Sequence, residues 1–458
     1  MMDTVDHEER TAGWLEELCE ERADDLLHLL DCVACRNAAR RWLRREGEEE
    51  RQRQPAYDQM LRELEARTPG LLKQMEEAGA EARRLMDRLL GSAADQRHVL
   101  AGTPEFRSLK LAEVLLLESW SLQPAEPALS EEMARLAFFV AAQPYEAALA
   151  GRVNDVKARS SVLVGNARRL AGDRLGAEEC FRRAVACLTC PPDAMERAFY
   201  CQMLAALRRD QGRDDEAASL LWRAALVYND NADLLEEGAC LAELGFLSIA
   251  EDQFHRAVLP LSRACEVVDL HRDATLAVHV RLGLALCHAS LGQEARAVRL
   301  LKATRPMYSR VADSPSQMAH VTWMEGRVAV LTGNLEEAPD LLDTARKSFL
   351  RQGKLHDAAF ASLDLAAALA RARPLESIHF LLHDVMESFP ASVGQAGVLR
   401  ALGSVERALA QGRRAELDAV IAAAADMLRL FRRNPLLAFE ELPRTGAPAH
   451  PRPLDPNG

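Results

Sequence analysis

The chain has 458 residues and a formal net charge of −12 at pH 7, because its 69 acidic residues outnumber 57 Lys and Arg. This acidic balance argues against direct binding to nucleic acid or to anionic membranes. No apolar run reaches the ~18 residues of a membrane span, and the first residues lack a signal-peptide pattern. Ala, Leu, Arg and Glu favour helix and dominate nearly every segment. The composition therefore predicts an all-α, cytoplasmic protein whose ten cysteines are mostly reduced.

Residues 1–45 form the first predicted unit, a small helical module with three candidate metal ligands. His28, Cys32 and Cys35 stand at positions i, i+4 and i+7, which share one face of a helix. Imidazole nitrogen and thiolate sulfur are ligands that zinc favours in tetrahedral sites. The alternative is that these three side chains pack in an apolar core, where free cysteine is common. The pattern leaves both interpretations open.

The His-x3-Cys-x2-Cys spacing of this module resembles the zinc-binding anti-sigma factor (zinc-finger) motif. In that family an upstream His or Cys completes the ligand set. His7 is the candidate fourth ligand here, and Cys19 is the other upstream choice. The resemblance is confined to residues 1–45, and it implies one zinc ion as cofactor and a sigma factor as partner.

Residues 46–100 are predicted to be a charged helical connector. Acidic and basic residues alternate with apolar ones over 57–97, as is typical of a helix with one solvated face. Such a helix would join the N-terminal module to the rest of the chain.

A repeat with a period of about 40 residues follows, and it is clearest over 156–388. Each copy has a small residue in a first helix, a residue that ends that helix, and two small residues in a second helix. The first-helix small residues are Gly165, Ala205, Gly245, Ala285 and Gly326. The helix-ending residues are Gly172, Gly212, Asp252, Gly292 and Gly333. The second-helix small residues are Ala177, Ala217, Ala257, Ala297 and Ala338, then Ala184, Ala224, Ala264, Thr304 and Ala345.

Each position of the repeat has a physical reason. Gly allows the left-handed backbone that stops a helix, and small side chains let the two helices of a hairpin approach closely. A large apolar residue lies four positions after the first small residue of each second helix, on the same face. This set is Phe181, Leu221, Leu261, Leu301 and Leu342. One hairpin cannot bury its apolar face alone, so the pattern predicts a stack of hairpins.

This order of residues resembles the tetratricopeptide repeat, in a long-period form similar to that of bacterial regulators and sensors, since the usual period is about 34 residues. The resemblance implies a right-handed α-solenoid of helical hairpins that binds proteins. We assign the repeats to 101–388, with a last helical pair over 359–371 and 375–388. Two capping helices, over 397–411 and 414–433, are assigned to 389–442. The tail at 443–458 contains five prolines and is predicted to be disordered.

In the resembling family, the first helix of each hairpin lines a concave groove. The corresponding candidate partner-binding residues are Arg159, Asn166, Arg169, Phe246, Leu282, Leu286, Trp323 and Phe360. Such a groove is basic at one end and apolar along the rest, which suits an amphipathic helix of a partner or of this chain's own termini. The alternative is that longer helices bury these positions between hairpins. Isolated histidines such as His279 and His320 are assigned to packing or solvent.

No Walker loop, Rossmann glycine motif, metalloprotease motif or nucleophile elbow occurs in the sequence. We therefore predict a non-enzymatic scaffold whose solenoid binds a segment of a partner protein. The alternative function is a transcriptional regulator of the anti-sigma type, whose zinc-binding N-terminal module binds a sigma factor.

Overall fold

The computed structural model describes residues 54–123, 125–188, 193–372, 374–375, 379–388 and 396–433. All regular structure in these ranges is helical, as predicted. The chain divides into two compact units, Met1–Pro191 and Pro192–Gly458. Within the described ranges, no helix combines the length and the apolarity needed to cross a membrane.

The first unit contains six described α-helices. They are α1 (Gln54–Leu90), α2 (Ala94–Ala101), α3 (Leu109–Leu122), α4 (Pro127–Ala141), α5 (Ala150–Leu170) and α6 (Arg174–Cys187). Helices α3 with α4 and α5 with α6 form hairpins, and α1 packs against α3. The long charged stretch predicted before the repeats is thus helical, and Leu89 near its end is fully buried.

The second unit contains twelve described α-helices. They are α7 (Ala194–Asp210), α8 (Asp214–Asp230), α9 (Leu234–Ala250), α10 (Phe254–Val267), α11 (Ala274–Ser290), α12 (Glu294–Thr304), α13 (Pro315–Leu331), α14 (Ala338–Arg351), α15 (Leu355–Ala372), α16 (His383–Ser388), α17 (Ala396–Ala410) and α18 (Arg414–Arg433). Successive helices pair as hairpins that stack in chain order. The four first helices α7, α9, α11 and α13 are each 17 residues long, which accounts for much of the extended period.

The repeat residues occupy the positions that the sequence predicts. All five second-helix alanines of the first set, from Ala177 to Ala338, are at most 1% exposed. The large apolar residues from Phe181 to Leu342 are at most 8% exposed. These buried side chains lie between adjacent helices, so the fold is an all-α solenoid of tetratricopeptide-like hairpins, as predicted.

A further periodic feature is the residue that caps the first helices α7, α9, α11 and α13. Asp193, Asp233, Asp273 and Ser314 precede α7, α9, α11 and α13, and each side chain accepts a hydrogen bond from a backbone N–H of the first turn. Such caps satisfy donors that have no partner within the helix. Their spacing repeats the period of the hairpins and fixes where each first helix begins.

One predicted element differs from the structure. The second helix expected over 375–388 is replaced by a 3₁₀ turn at His379–Leu382 and the short α16. Pro374 explains why α15 ends at Ala372, because proline disfavours helix at the residue before it. The capping pair predicted at 397–411 and 414–433 is present as α17 and α18. The tail at 443–458 lies outside the described residues.

The helix-ending residues adopt positive φ, as their predicted role requires. The four glycines of the set have φ between 72° and 86°, and Asp252 takes the same region at 57°. Ala232, in the turn between α8 and α9, also has a φ of 57°. An L-residue with a Cβ is strained there, by about 1–2 kcal/mol.

Replacing Ala232 by Gly should therefore stabilise the chain by about 0.5–1 kcal/mol, because relief of this strain exceeds the entropy cost of Gly. Thermal unfolding measures the change. Ala142 is a matched control, since it is also exposed and also follows a helix, but at a φ of −78°. Ala142→Gly should lower stability, and equal losses in both variants would contradict the strain at Ala232.

Candidate functional site

A cleft of about 510 Å³ opens along the second unit, where three successive first helices face the same side. Helices α9, α11 and α13 supply nearly all of its walls. The lining residues are Phe246, Ile249, Asp273, Thr275, Leu276, His279, Leu286, Gln317, His320, Trp323, Met324 and Arg327. A volume of this size is typical of a binding site for a small ligand or for a few side chains of a partner.

Seven of the twelve lining residues fall on four equivalent positions of the repeat, so the cleft is a product of the 40-residue period. Phe246, Leu286 and Arg327 share one position, and His279 and His320 share another. Trp323 and Ile249 occupy the remaining two. Equivalent positions of stacked first helices point the same way, and this repetition brings residues some 80 positions apart into one wall.

Trp323 is the central aromatic side chain of the cleft and is held from several sides. Its indole N–H donates to a carboxylate oxygen of Asp364, at 2.7 Å. The rings of Phe349 and Phe360 lie with centroids 5.9 and 6.4 Å from it. The guanidinium of Arg327 lies 5.9 Å from the Trp323 ring centroid and 3.7 Å from Asp364. These contacts fix the indole in place before any ligand arrives.

His279 gives the cleft a polar atom that is not yet satisfied. Its Nε2 is buried and has no hydrogen-bond partner among the described residues. Burial lowers the pKa of His279, and a hydrogen bond to the backbone of Thr275 partly opposes this shift. The neutral ring therefore presents Nε2 as a hydrogen-bond acceptor. The centroid of this ring lies 6.5 Å from the centroid of the His320 ring. A donor on a bound ligand would satisfy this atom.

The lowered pKa of His279 has a consequence for stability. The folded chain binds a proton on His279 less tightly than the unfolded chain does. The contribution of His279 to the free energy of unfolding is therefore fully present above its unfolded pKa near 6.5, and it is lost as pH falls through its folded pKa. Urea unfolding at pH 7.5 and 5.5 should show a smaller loss of stability for His279→Asn than for the wild type. Identical losses would contradict a buried neutral histidine.

Two of the three predicted groove residues of the first unit, Asn166 and Arg169, form hydrogen bonds within that unit. The side-chain amide of Asn166 donates to Gln123 at 2.5 Å, and Arg169 Nε donates to Asn166 Oδ1 at 2.7 Å. The amide of Gln123 donates in turn to the carbonyl of Leu163. Arg159 is half-buried on the same helix. This hydrogen-bond network connects α5 to the end of α3, so Asn166 and Arg169, which were predicted to bind a partner, also stabilise the fold.

The predicted groove residues of the second unit divide into two groups. Phe246, Leu286 and Trp323 line the cleft, as the groove interpretation expects. Leu282 has no exposed surface, as the alternative of burial between hairpins expects, and Leu286 is equally buried although it borders the cleft. Phe360 is half-buried, with its ring centroid 6.4 Å from that of Trp323. Which interpretation holds therefore changes from one repeat position to the next.

His279 and His320 were assigned to packing or solvent from the sequence and Arg327 was not named, although the repeat pattern contains a signal for all three. Steps of 40, 40, 40 and 41 residues from Arg159 lead through Phe199 and Ala239 to these two histidines. The same steps from Asn166 lead to Phe246, Leu286 and Arg327. Extending the register through every repeat would have placed all three side chains on the cleft wall.

The predicted zinc ligands His7, His28, Cys32 and Cys35 lie outside the described residues, so that site stays a prediction. Within the described ranges, no cluster of three His, Cys, Asp or Glu side chains could hold a metal ion. The described cysteines are free thiols. Burial raises the pKa of Cys265 to about 11 and that of Cys287 to about 12, so both stay protonated and unreactive near neutral pH.

No protein-family model matches the chain, and no curated protein matches it. Solved structures of low sequence identity do match. The apo form of RapI covers 60% of this chain and 98% of its own, at 13% identity and a TM-score of 0.47. A Rap protein complexed with competence and sporulation factor covers 70% of this chain and 100% of its own, at 14% identity and a TM-score of 0.40. BtubC from P. vanneervenii covers 54% of this chain and 91% of its own, at 17% identity and a TM-score of 0.37. With TM-scores below 0.5 these likenesses are distant, and the cleft is interpreted from its own residues.

Proposed function

We propose that this chain is a binding scaffold, and that the cleft between α9, α11 and α13 takes an apolar segment of a partner protein. The supporting observation is that three stacked hairpins present the same face of their first helices to one cleft. That face combines large apolar walls with a few polar groups, which is the usual composition of a peptide-binding groove.

The lining residues suggest the chemistry of the partner segment. Phe246, Leu276 and Met324 are half-buried, so an aliphatic or aromatic side chain that covers them gains apolar contact. The guanidinium of Arg327 can donate to a carboxylate or a backbone carbonyl of the segment. His279 Nε2 can accept from a backbone N–H or a hydroxyl. An amphipathic helix with a bulky apolar face and an acidic edge fits these groups.

Selection of binders from a displayed random-peptide library against the full chain tests this function. Selected peptides should be amphipathic, and Met324→Gln should weaken their binding about tenfold or more, because an unsatisfied amide in the cleft costs about 1–3 kcal/mol. Met75→Gln is the matched control, since Met75 on α1 is 61% exposed and lies outside the cleft. Peptides that bind both variants equally would show that the cleft is not the binding site.

The alternative function, a regulator of the anti-sigma type, depends on His7, His28, Cys32 and Cys35, and no described residue favours it. The zinc content of the purified, reduced chain tests its metal site. One zinc per chain that is lost in a His28→Ala/Cys32→Ala variant would support the site. The absence of zinc from the wild-type chain would favour core packing of the three residues.

A further inference from the structure

The last helix of the described chain returns to the cleft. The guanidinium of Arg429, in the penultimate turn of α18, lies 3.6 Å from the carboxylate of Asp252. Asp252 is in the turn that ends α9, one helical turn after Ile249 and two after Phe246, both of which line the cleft. The two charged residues are 177 positions apart in the sequence, so this ion pair brings the C-terminal end of the fold to one wall of the cleft.

The same arginine also acts electrostatically on Asp364, the residue that holds Trp323. Asp364 on α15 holds the indole of Trp323 and lies beside Arg327. Burial raises the pKa of the Asp364 carboxyl, and the charges of Arg327 and Arg429 and the Trp323 hydrogen bond oppose that rise. Arg429 is therefore within electrostatic range of Asp364 while it touches Asp252. The last turns of α18 therefore lie close to the end of α9 and to Asp364 on α15.

The sequence that follows α18 has the composition of a cleft ligand. Residues 434–441 read Asn-Pro-Leu-Leu-Ala-Phe-Glu-Glu. Pro435 disfavours continuation of the helix, four apolar residues follow it, and Glu440 and Glu441 come next. An apolar run with an acidic end matches walls of aromatic and aliphatic side chains beside Arg327.

The cleft is also within reach of this segment. From Arg429 to Arg433 the helix rises about 6 Å, and six further residues to Phe439 can span at most about 20 Å in extended form. Ile249 lies only one helical turn from the carboxylate that Arg429 touches. The apolar run can therefore enter the cleft without any movement of α18.

We propose that residues 434–441 occupy the cleft of their own chain, with Leu437 and Phe439 against its apolar walls and the glutamates toward Arg327. A partner segment then binds by displacing this one. The inference rests on the proposed function, because it requires a cleft that accepts an apolar peptide.

Hydrogen exchange on the full chain is the direct test. Amides of residues 436–441 should exchange on the order of tenfold more slowly than expected for an open chain, and the protection should fall in a Phe246→Ala/Met324→Gln variant. Met75→Gln should leave it unchanged. Three outcomes would overturn the proposal: exchange at the open-chain rate, protection that survives the cleft substitutions, or protection that depends on protein concentration and so reports a second copy.

A competition experiment distinguishes failure of this inference from failure of the proposed function. A labelled synthetic peptide of residues 434–442 is titrated into the full wild-type chain and into a full-length Leu437→Asp/Phe439→Asp variant. The variant should bind it about tenfold more tightly, because its own segment no longer competes. Leu454→Asp is the control and should behave as wild type. Equal binding by the wild type and the double variant would overturn the inference, and library-selected peptides that still bind the cleft would leave the proposed function intact.

Discussion

Phe349→Ala is expected to lower the free energy of unfolding by about 3–5 kcal/mol, because the ring is fully buried and its loss leaves a cavity. The same substitution should weaken peptide binding in the cleft. The Phe349 ring lies with its centroid 4.8 Å from His320 and 5.9 Å from Trp323, edge-on to both. It is the support behind two lining residues, so its removal frees them to change rotamer and costs the cleft its fixed shape.

Two variants separate the effect on stability from the effect on the cleft. Phe181→Ala removes an equally buried ring from α6 in the first unit, so urea unfolding should show a similar loss while peptide affinity, measured on folded protein, stays unchanged. Phe349→Leu leaves a smaller cavity and should cost less stability than Phe349→Ala. If Phe349→Ala binds the selected peptides as tightly as the wild type does, then the ring contributes to the core alone.

Gly245→Ala is expected to destabilise the chain by about 1–3 kcal/mol, although alanine favours helix by about 1 kcal/mol over glycine. A Cβ at Gly245 would lie 2.4 Å from Cγ of Leu261 and 2.6 Å from one of its methyl groups. Leu261 is fully buried and cannot move away. The clash therefore separates α9 from α10, which are the two helices of one hairpin.

The matched control for Gly245 is Gly151, a helical glycine of α5 around which nothing lies within 4 Å. Gly151→Ala should raise stability by about 0.5–1 kcal/mol. A Gly245→Ala/Leu261→Ala double variant should cost less than the sum of the two single changes, with a coupling of about 1–3 kcal/mol. Additive losses would show that the two positions do not touch.

The hairpins could be predicted because their determinants are local. The small residue, helix stop and large apolar residue of each repeat lie within about 20 positions of one another, and each has one reason to be where it is. Gly245 against Leu261 is an example, since both were assigned by spacing and the structure places them in contact. The same reasoning located Asp252 as a helix stop in place of glycine, and its φ of 57° agrees.

The candidate site was predicted only in part. Phe246, Leu286 and Trp323 do line the cleft, but His279 and His320 were assigned to packing or solvent from their isolation in the sequence. Asn166 and Arg169, expected in the groove, satisfy each other and Gln123 instead. Residue type alone does not distinguish a polar group aimed at a ligand from one aimed at a neighbouring helix.

The sequence by itself determined the helical class, the 40-residue period, the residues that close each hairpin and the positions that share a face, because all of these follow from helix geometry over short distances. Only the tertiary structure decided which shared positions stay open. Phe246 stays half-buried at the cleft, while Leu286, at the equivalent position of the next repeat, has no exposed surface, and neither has Leu282. The structure alone also brings Arg429 to Asp252, since an ion pair between residues so distant in the chain leaves no periodic trace in the sequence.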